Sequence, residues 1–143
     1  MVGRSARDGV RATDDLPDLL PEQDVVVLLV PLTDATRGLV DADFLAALPD
    51  GALLVNVARG AVVDTDALLA ELGTGRLRAA LDVFETEPLP DDSPLWDARG
   101  LILTPHVGGL SDAMWPRAYR LVREQLERFA AGEPLENVMD GDY

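Results

Sequence analysis

The chain has 143 residues, the length of one domain, with 12 basic residues against 26 acidic ones and a net charge of −14. Every basic residue is Arg, Cys is absent and there is one His, which excludes lysine chemistry, disulfides, thiolate nucleophiles and a His- or Cys-built metal centre. A pI near 4.2 gives no basic footprint, so neither nucleic acid nor an anionic membrane surface is an expected partner.

Hydrophobic residues make up 48% of the chain, enough for a packed core. Residues 1–8 hold no apolar signal-peptide core, and the longest apolar run, Val25–Val30, falls far short of a membrane span. A cytoplasmic protein is the expectation.

In chain order, Val10-Arg11-Ala12 reads as a short edge strand. Val25–Val30 is continuously apolar, does not alternate, and is bounded by Asp24 and Pro31. That pattern predicts a parallel strand buried on both faces. A turn-rich loop follows from Pro31 to Thr36. Asp41 is placed to cap a short helix carrying Phe44, Leu45 and Leu48, stopped near Pro49. Ala52–Val57 reads as a second strand. Asp64 or Thr65 opens a helix with Leu68, Leu69 and Leu72 on one face. Gly73 is expected to close it, where a positive φ costs little. Leu77–Phe84 reads as a third strand and Leu101–Leu103 as a fourth. The proline-rich, acidic stretch between them, 85–100, is expected to run over the surface. A last helix carries Met114, Ala118, Leu121, Val122, Gln125, Leu126 and Phe129 at helical spacing. It begins or bends at Pro116 and ends at Gly132-Glu133-Pro134. Strands alternating with helices predict an α/β fold with a parallel sheet.

In an open α/β sheet, ligands bind beyond the C-terminal ends of the strands. The four strands are followed by Val30-Pro31, by Ala58-Arg59-Gly60, by Glu85-Thr86-Glu87-Pro88, and by Thr104-Pro105-His106-Val107-Gly108-Gly109. One rim thus gathers an Arg, acids, the single His and a glycine pair. Each has a plainer reading alone. Arg59 suits a surface ion pair, His106 a satisfied loop histidine, Asp82 a strand-end cap, and Gly108-Gly109 a tight turn; Glu87 is one acid among many. Their joint placement favours function.

Asn56-Val57-Ala58-Arg59-Gly60, Val63-Asp64, Ala80-Leu81-Asp82-Val83-Phe84-Glu85-Thr86-Glu87-Pro88-Leu89 and Leu103-Thr104-Pro105-His106 occur in that order. Val30-Pro31-Leu32-Thr33 and Thr36-Arg37-Gly38-Leu39 precede them. This series resembles the D-isomer-specific 2-hydroxyacid dehydrogenases, most closely the glyoxylate/hydroxypyruvate reductase and phosphoglycerate dehydrogenase group. The resemblance spans essentially the whole chain. It implies a doubly wound, Rossmann-like sheet and an NAD- or NADP-dependent oxidoreductase acting on small 2-oxo and 2-hydroxy acids. By the same resemblance Arg59 matches the arginine that orients the substrate carboxylate and carbonyl. A planar guanidinium grips both oxygens of a 2-oxo acid. His106 matches the proton donor, and Glu87 the acid paired with it. Val30, Pro31, Val57, Ala58, Arg59, Asp82, His106, Val107, Gly108 and Gly109 match positions lining the dinucleotide, with Asp82 on the nicotinamide side.

The chain departs from that family in one large respect. It holds no G-x-G-x-x-G, and it begins about where the second Rossmann strand would end. The expectation is a truncated dinucleotide-binding domain with a C-terminal helix over 1–143, a partial sheet, no substrate domain, and no turnover in isolation. The strand matching Val25–Val30 would then lie at an open edge, and self-association is expected. A non-catalytic binding or regulatory module that kept the fold is the alternative; a bare interaction module has no need of Arg59, Glu87 and His106 together. Arg4, Ser5 and Arg7, with no acid before Asp8, lean the cofactor toward NADPH.

Overall fold

The computed structural model describes residues 1–3 and 5–138. Arg4 lies outside them. The chain divides into one unit ending at His106 and a second beginning at Val107.

The first unit is built on four parallel strands: β3 (Val25–Leu28), β4 (Leu53–Asn56), β5 (Arg78–Leu81) and β6 (Leu101–Leu103). They lie side by side in the order β3-β4-β5-β6. A separate parallel ribbon pairs β1 (Val2–Gly3) with β2 (Arg11–Ala12). The strand expected at 10–12 is therefore real, but its partner is β1, a two-residue strand with no readable pattern.

A one-turn helix α1 (Leu16–Leu19) precedes β3, and two further helices connect β3 to β4 and β4 to β5. The helix α2 (Ala42–Ala46) is capped by Asp41, whose carboxylate accepts from the Phe44 N–H at 2.9 Å. The helix α3 (Thr65–Thr74) is capped the same way by Asp64, which accepts from Ala67 at 3.0 Å. Gly73 does not end α3. It lies inside the helix, and Gly75 takes the left-handed turn at φ 75°. Arg76 gives the physical reason for the later stop. Its guanidinium donates to the carbonyls of Leu45 and Leu48 at the end of α2 and to Glu71 on α3, so the chain must run that far to tie the helices together.

The helices α2 and α3 pack against each other. In the register, Val26, Leu54, Ala79 and Leu101 share one face of the sheet, and Val27, Val55, Ala80 and Ile102 share the other. Leu54 and Ala79 are buried on the first face, whereas Val27 is 50% exposed and Ile102 67% exposed on the second. The expectation that Val25–Val30 is buried on both faces is thus overturned. Consecutive crossovers in one direction put their helices on one side of a sheet, so the other side stays open. The core lies on the helical side, around Leu45, Leu54, Leu68, Leu72 and Leu77. Burying one such leucine is worth roughly 1.5–3 kcal/mol.

The strands are shorter than their apolar runs. Leu77–Phe84 contributes only Arg78–Leu81 to the ladder. The segment 85–100 is not wholly superficial either. It contains a 3₁₀ turn at Pro94–Asp97, capped by Ser93, that drives Leu95 into the core.

In the second unit, α4 (Met114–Ala131) places Pro116 in its first turn, where a missing N–H costs nothing, and ends on left-handed Gly132. Among the described residues no helix is long and apolar enough to cross a membrane, and none of their His, Asp and Glu side chains cluster as a metal site.

Candidate active site

All four strands of the main sheet are parallel, so their C-terminal ends share one rim. Beyond β3, the loop is pinned by Thr36, whose hydroxyl donates to the Pro31 carbonyl at 2.6 Å and accepts from the Thr33 N–H at 2.8 Å. Beyond β4, Asn56 is 1% exposed, yet it is polar. Its side chain accepts from the Ala58 N–H at 3.0 Å and donates to the Arg59 carbonyl at 2.9 Å. A buried amide satisfied on both sides holds this loop in one shape. The loop presents Val57 and Arg59 to solvent while Ala58 stays buried.

Gly60 follows, and its lack of a side chain is a packing requirement. A Cβ there would lie 1.8 Å from the carbonyl carbon of Phe84 and 2.3 Å from the Glu85 nitrogen. The loop carrying Arg59 is therefore pressed directly onto the loop carrying Glu87.

Beyond β5, Asp82 is 7% exposed. Its carboxylate accepts from the Thr104 hydroxyl at 2.5 Å, which links the ends of β5 and β6. Glu87 reaches back to accept the Phe84 N–H at 2.9 Å through one oxygen. Its other oxygen lies 2.7 Å from Nδ1 of His106. These contacts hold the Glu87 carboxyl below the ordinary glutamate range. The hydrogen bond with His106 is the main cause and the Phe84 amide the next, with smaller electrostatic contributions from His106 and from Arg59. An ionised carboxylate only accepts, so Nδ1 of His106 carries the hydrogen.

His106 has φ 53°, a left-handed conformation uncommon for a residue with a side chain. Its N–H closes a tight turn onto the Thr104 carbonyl at 3.0 Å. Such outliers persist where the surroundings over-determine them, and they cluster at functional sites. The imidazole remains half exposed beside a cavity of about 690 Å³ whose lining is mostly apolar and includes Phe84, Leu89, Trp96 and Leu103.

The residues matched from sequence thus fall in two groups. Val30, Pro31, Val57, Ala58, Arg59, Asp82, Glu87 and His106 stand on one rim of the first unit, and Glu87 and His106 are in contact. Val107, Gly108 and Gly109 open the second unit. The sequence reading passed over Asn56, Gly60 and Thr104 as individual actors. Only Asn56 carried a usable sign, a polar residue ending an apolar strand just before a turn.

The NAD-binding domain of the D-isomer-specific 2-hydroxyacid dehydrogenases matches residues 3–108. This chain belongs to that family. A D-3-phosphoglycerate dehydrogenase from Methanocaldococcus jannaschii is 40% identical over 133 residues, covering 92% of this chain and 25% of that protein. A D-isomer-specific 2-hydroxyacid dehydrogenase from Xanthobacter autotrophicus, solved with NADPH, superposes with a TM-score of 0.83 at 43% identity, over 97% of this chain and 59% of that one. An NADPH-dependent glyoxylate/hydroxypyruvate reductase from Sinorhizobium meliloti, solved with NADP and sulfate, gives 0.84 at 38% identity, over 97% and 46%. The chain spans less than half the length of the curated relatives it matches. The fold is accordingly the Rossmann-like one of these dehydrogenases, present in part.

Proposed function

We propose that residues 1–143 form the later part of a dinucleotide-binding domain, with its C-terminal helix, in an NAD(P)-dependent oxidoreductase that interconverts 2-oxo acids and D-2-hydroxy acids. The observation that carries this reading is the 2.7 Å contact between His106 and Glu87 on the rim that also bears Arg59. With Nδ1 committed to Glu87, Nε2 of His106 is the nitrogen that gives a proton to the carbonyl oxygen in reduction and removes it in oxidation. Glu87 holds the ring in that tautomer. Arg59 holds the substrate carboxylate and carbonyl with its two-pronged guanidinium. The nicotinamide cofactor, when bound, supplies the hydride.

The residues present suit the nicotinamide end of that cofactor. Val30, Pro31 and Val57 offer apolar side-chain surface, the buried Ala58 backs the loop that carries Val57, and Asp82 offers an acceptor already held by Thr104. Val107, Gly108 and Gly109 complete the proposed set. The pyrophosphate needs a glycine-rich strand-to-helix turn, which residues 1–143 do not contain. We therefore assign that turn, and the substrate domain, to sequence outside 1–143, and expect no turnover from this chain alone. Its open apolar surface favours self-association, which light scattering over a concentration series measures; a non-associating chain that turns over would refute both statements.

The catalytic roles are tested in a polypeptide that joins this chain to the rest of a dehydrogenase of the family. His106→Ala there is expected to lower kcat for glyoxylate or hydroxypyruvate about 10²–10⁴-fold. An unchanged kcat removes His106 from the mechanism. Ser5 and Arg7, both exposed, support a preference for the 2′-phosphate of NADPH. Equal or better kcat/KM with NADH refutes that preference.

A further inference from the structure

Asn56 ends β4 on the buried face of the sheet, with Leu28 and Leu81 as its register neighbours on the flanking strands. Both leucines are buried. A third aliphatic side chain would fill such a place without a desolvation cost, whereas an amide there destabilises the fold unless it is hydrogen-bonded. The amide is bonded, and only to its own loop: its oxygen accepts the Ala58 N–H and its nitrogen donates to the Arg59 carbonyl. The first bond alone makes an ordinary turn, which Asp or Ser also supports. The second needs a donor beside the acceptor, which an amide supplies and a carboxylate does not.

Between those two anchors lies the Ala58–Arg59 peptide. Its carbonyl accepts from Nη1 of the Arg59 guanidinium at 2.7 Å. On the far side Gly60 is pressed against the Phe84 backbone. A long exposed side chain ordinarily sweeps through many rotamers. Here its tip is tied to a backbone that is itself clamped. Nε and Nη2 of Arg59 have no hydrogen-bond partner among the described residues, and that pair of donors is one edge by which a guanidinium meets a carboxylate in two parallel bonds. The guanidinium also lies near enough to Glu87 to act on its carboxyl electrostatically.

We propose that Asn56 is a positioning residue for the substrate, acting through Arg59. Its amide holds the peptides on either side of Ala58–Arg59, the carbonyl between them holds Nη1, and the Nε/Nη2 edge is left turned out to receive the carboxylate of the 2-oxo acid. This assignment rests on the role of Arg59 in the proposed reaction. It explains why a core position between two leucines carries an amide.

The test begins with the 143-residue chain. Rotation about the Arg59 Nε–Cζ bond is read by NMR from exchange between its Nη1 and Nη2 resonances, with exposed Arg99 as the free reference. Arg59 should rotate at least about tenfold more slowly than Arg99, the effect of one hydrogen bond from a charged donor. Asn56→Ser keeps an acceptor for the Ala58 N–H and loses the donor to the Arg59 carbonyl; Asn56→Ala loses both. In each, Arg59 rotation should approach that of Arg99. Ala58 amide exchange should rise by about tenfold or more in Asn56→Ala, while that of Leu68 in α3 stays within about twofold. Should Asn56→Ala misfold, Asn56→Ser and the parent rate still decide. In a polypeptide joining this chain to the rest of a dehydrogenase of the family, Asn56→Ser should raise KM for glyoxylate about tenfold with kcat within about threefold, because a clamp used equally in the ground and transition states acts on KM. Arg59 rotating as fast as Arg99 in the parent overturns the inference, and so does unchanged rotation in Asn56→Ser. Leu68 exchange that rises in step with Ala58 overturns it too, since Asn56 would then only stabilise the fold. So does an unchanged KM in a variant whose Arg59 has come loose. Failure of the catalytic reading is seen elsewhere, as full kcat in His106→Ala, and leaves the Arg59 spectra as expected.

Discussion

Gly60→Ala is the most demanding test of how the site is assembled. The added Cβ would sit 1.8 Å from the Phe84 carbonyl carbon, 2.0 Å from its oxygen and 2.3 Å from the Glu85 nitrogen. All three are backbone atoms, so no side chain can swing away. Reaching ordinary contact at 3.4 Å requires the two loops to part by roughly 1.6 Å. That movement acts on Phe84, whose N–H holds Glu87, and so on the Glu87–His106 contact. Overpacking of this kind costs about 1–3 kcal/mol. In a domain of this size that corresponds to a fall in Tm of roughly 4–12 °C. The assay is thermal unfolding of the variant, with the His106 ring resonances followed by NMR. The expected result is a lower Tm together with altered His106 shifts. A variant that melts within about 2 °C of the parent with an unchanged His106 environment refutes the claim that Gly60 sets the spacing of the Arg59 and Glu87 loops.

The end of α3 gives a paired prediction. Gly73→Ala, inside the helix with open space around the new Cβ, should stabilise the chain by about 0.5–1 kcal/mol. Gly75→Ala, at φ 75°, should destabilise it by about 1 kcal/mol; equal signs in urea unfolding would refute the placement of the helix end. Glu87→Gln tests the ion pair through pH. The folded-state carboxyl is held below its ordinary range, so its stabilising contribution is complete above that range and is lost as pH falls through the lowered value. Both side chains are partly exposed, so the parent should exceed the variant by less than about 1 kcal/mol at neutral pH. The difference should shrink as pH falls below the ordinary carboxylate range, and a difference that grows instead would contradict the pairing.

Much of this protein was legible in its sequence because the signals are local. The caps Asp41 and Asp64 each precede an apolar helical face, and an N-cap needs only the next three residues. The parallel α/β class follows from apolar runs alternating with helical ones. The rim that gathers Arg59, Asp82, Glu87 and His106 follows from strand direction alone, since parallel strands end at one edge. What remained hidden depends on residues far apart in the chain. A continuous run of valines has the same sequence whether one face of its sheet is covered or two. The exposure of Val25 and Val27 was settled by α2 and α3 lying on the same side. Whether Gly73 or Gly75 ends α3 was decided by Arg76 reaching the end of α2, 28 to 31 residues away. Gly60 is indispensable only because Phe84 passes against it, and Thr104 matters only because Asp82 ends the neighbouring strand. Composition and periodicity specify elements and their order. Close approach between elements exists only once the chain has packed, and it is that packing which brings His106 to within 2.7 Å of Glu87.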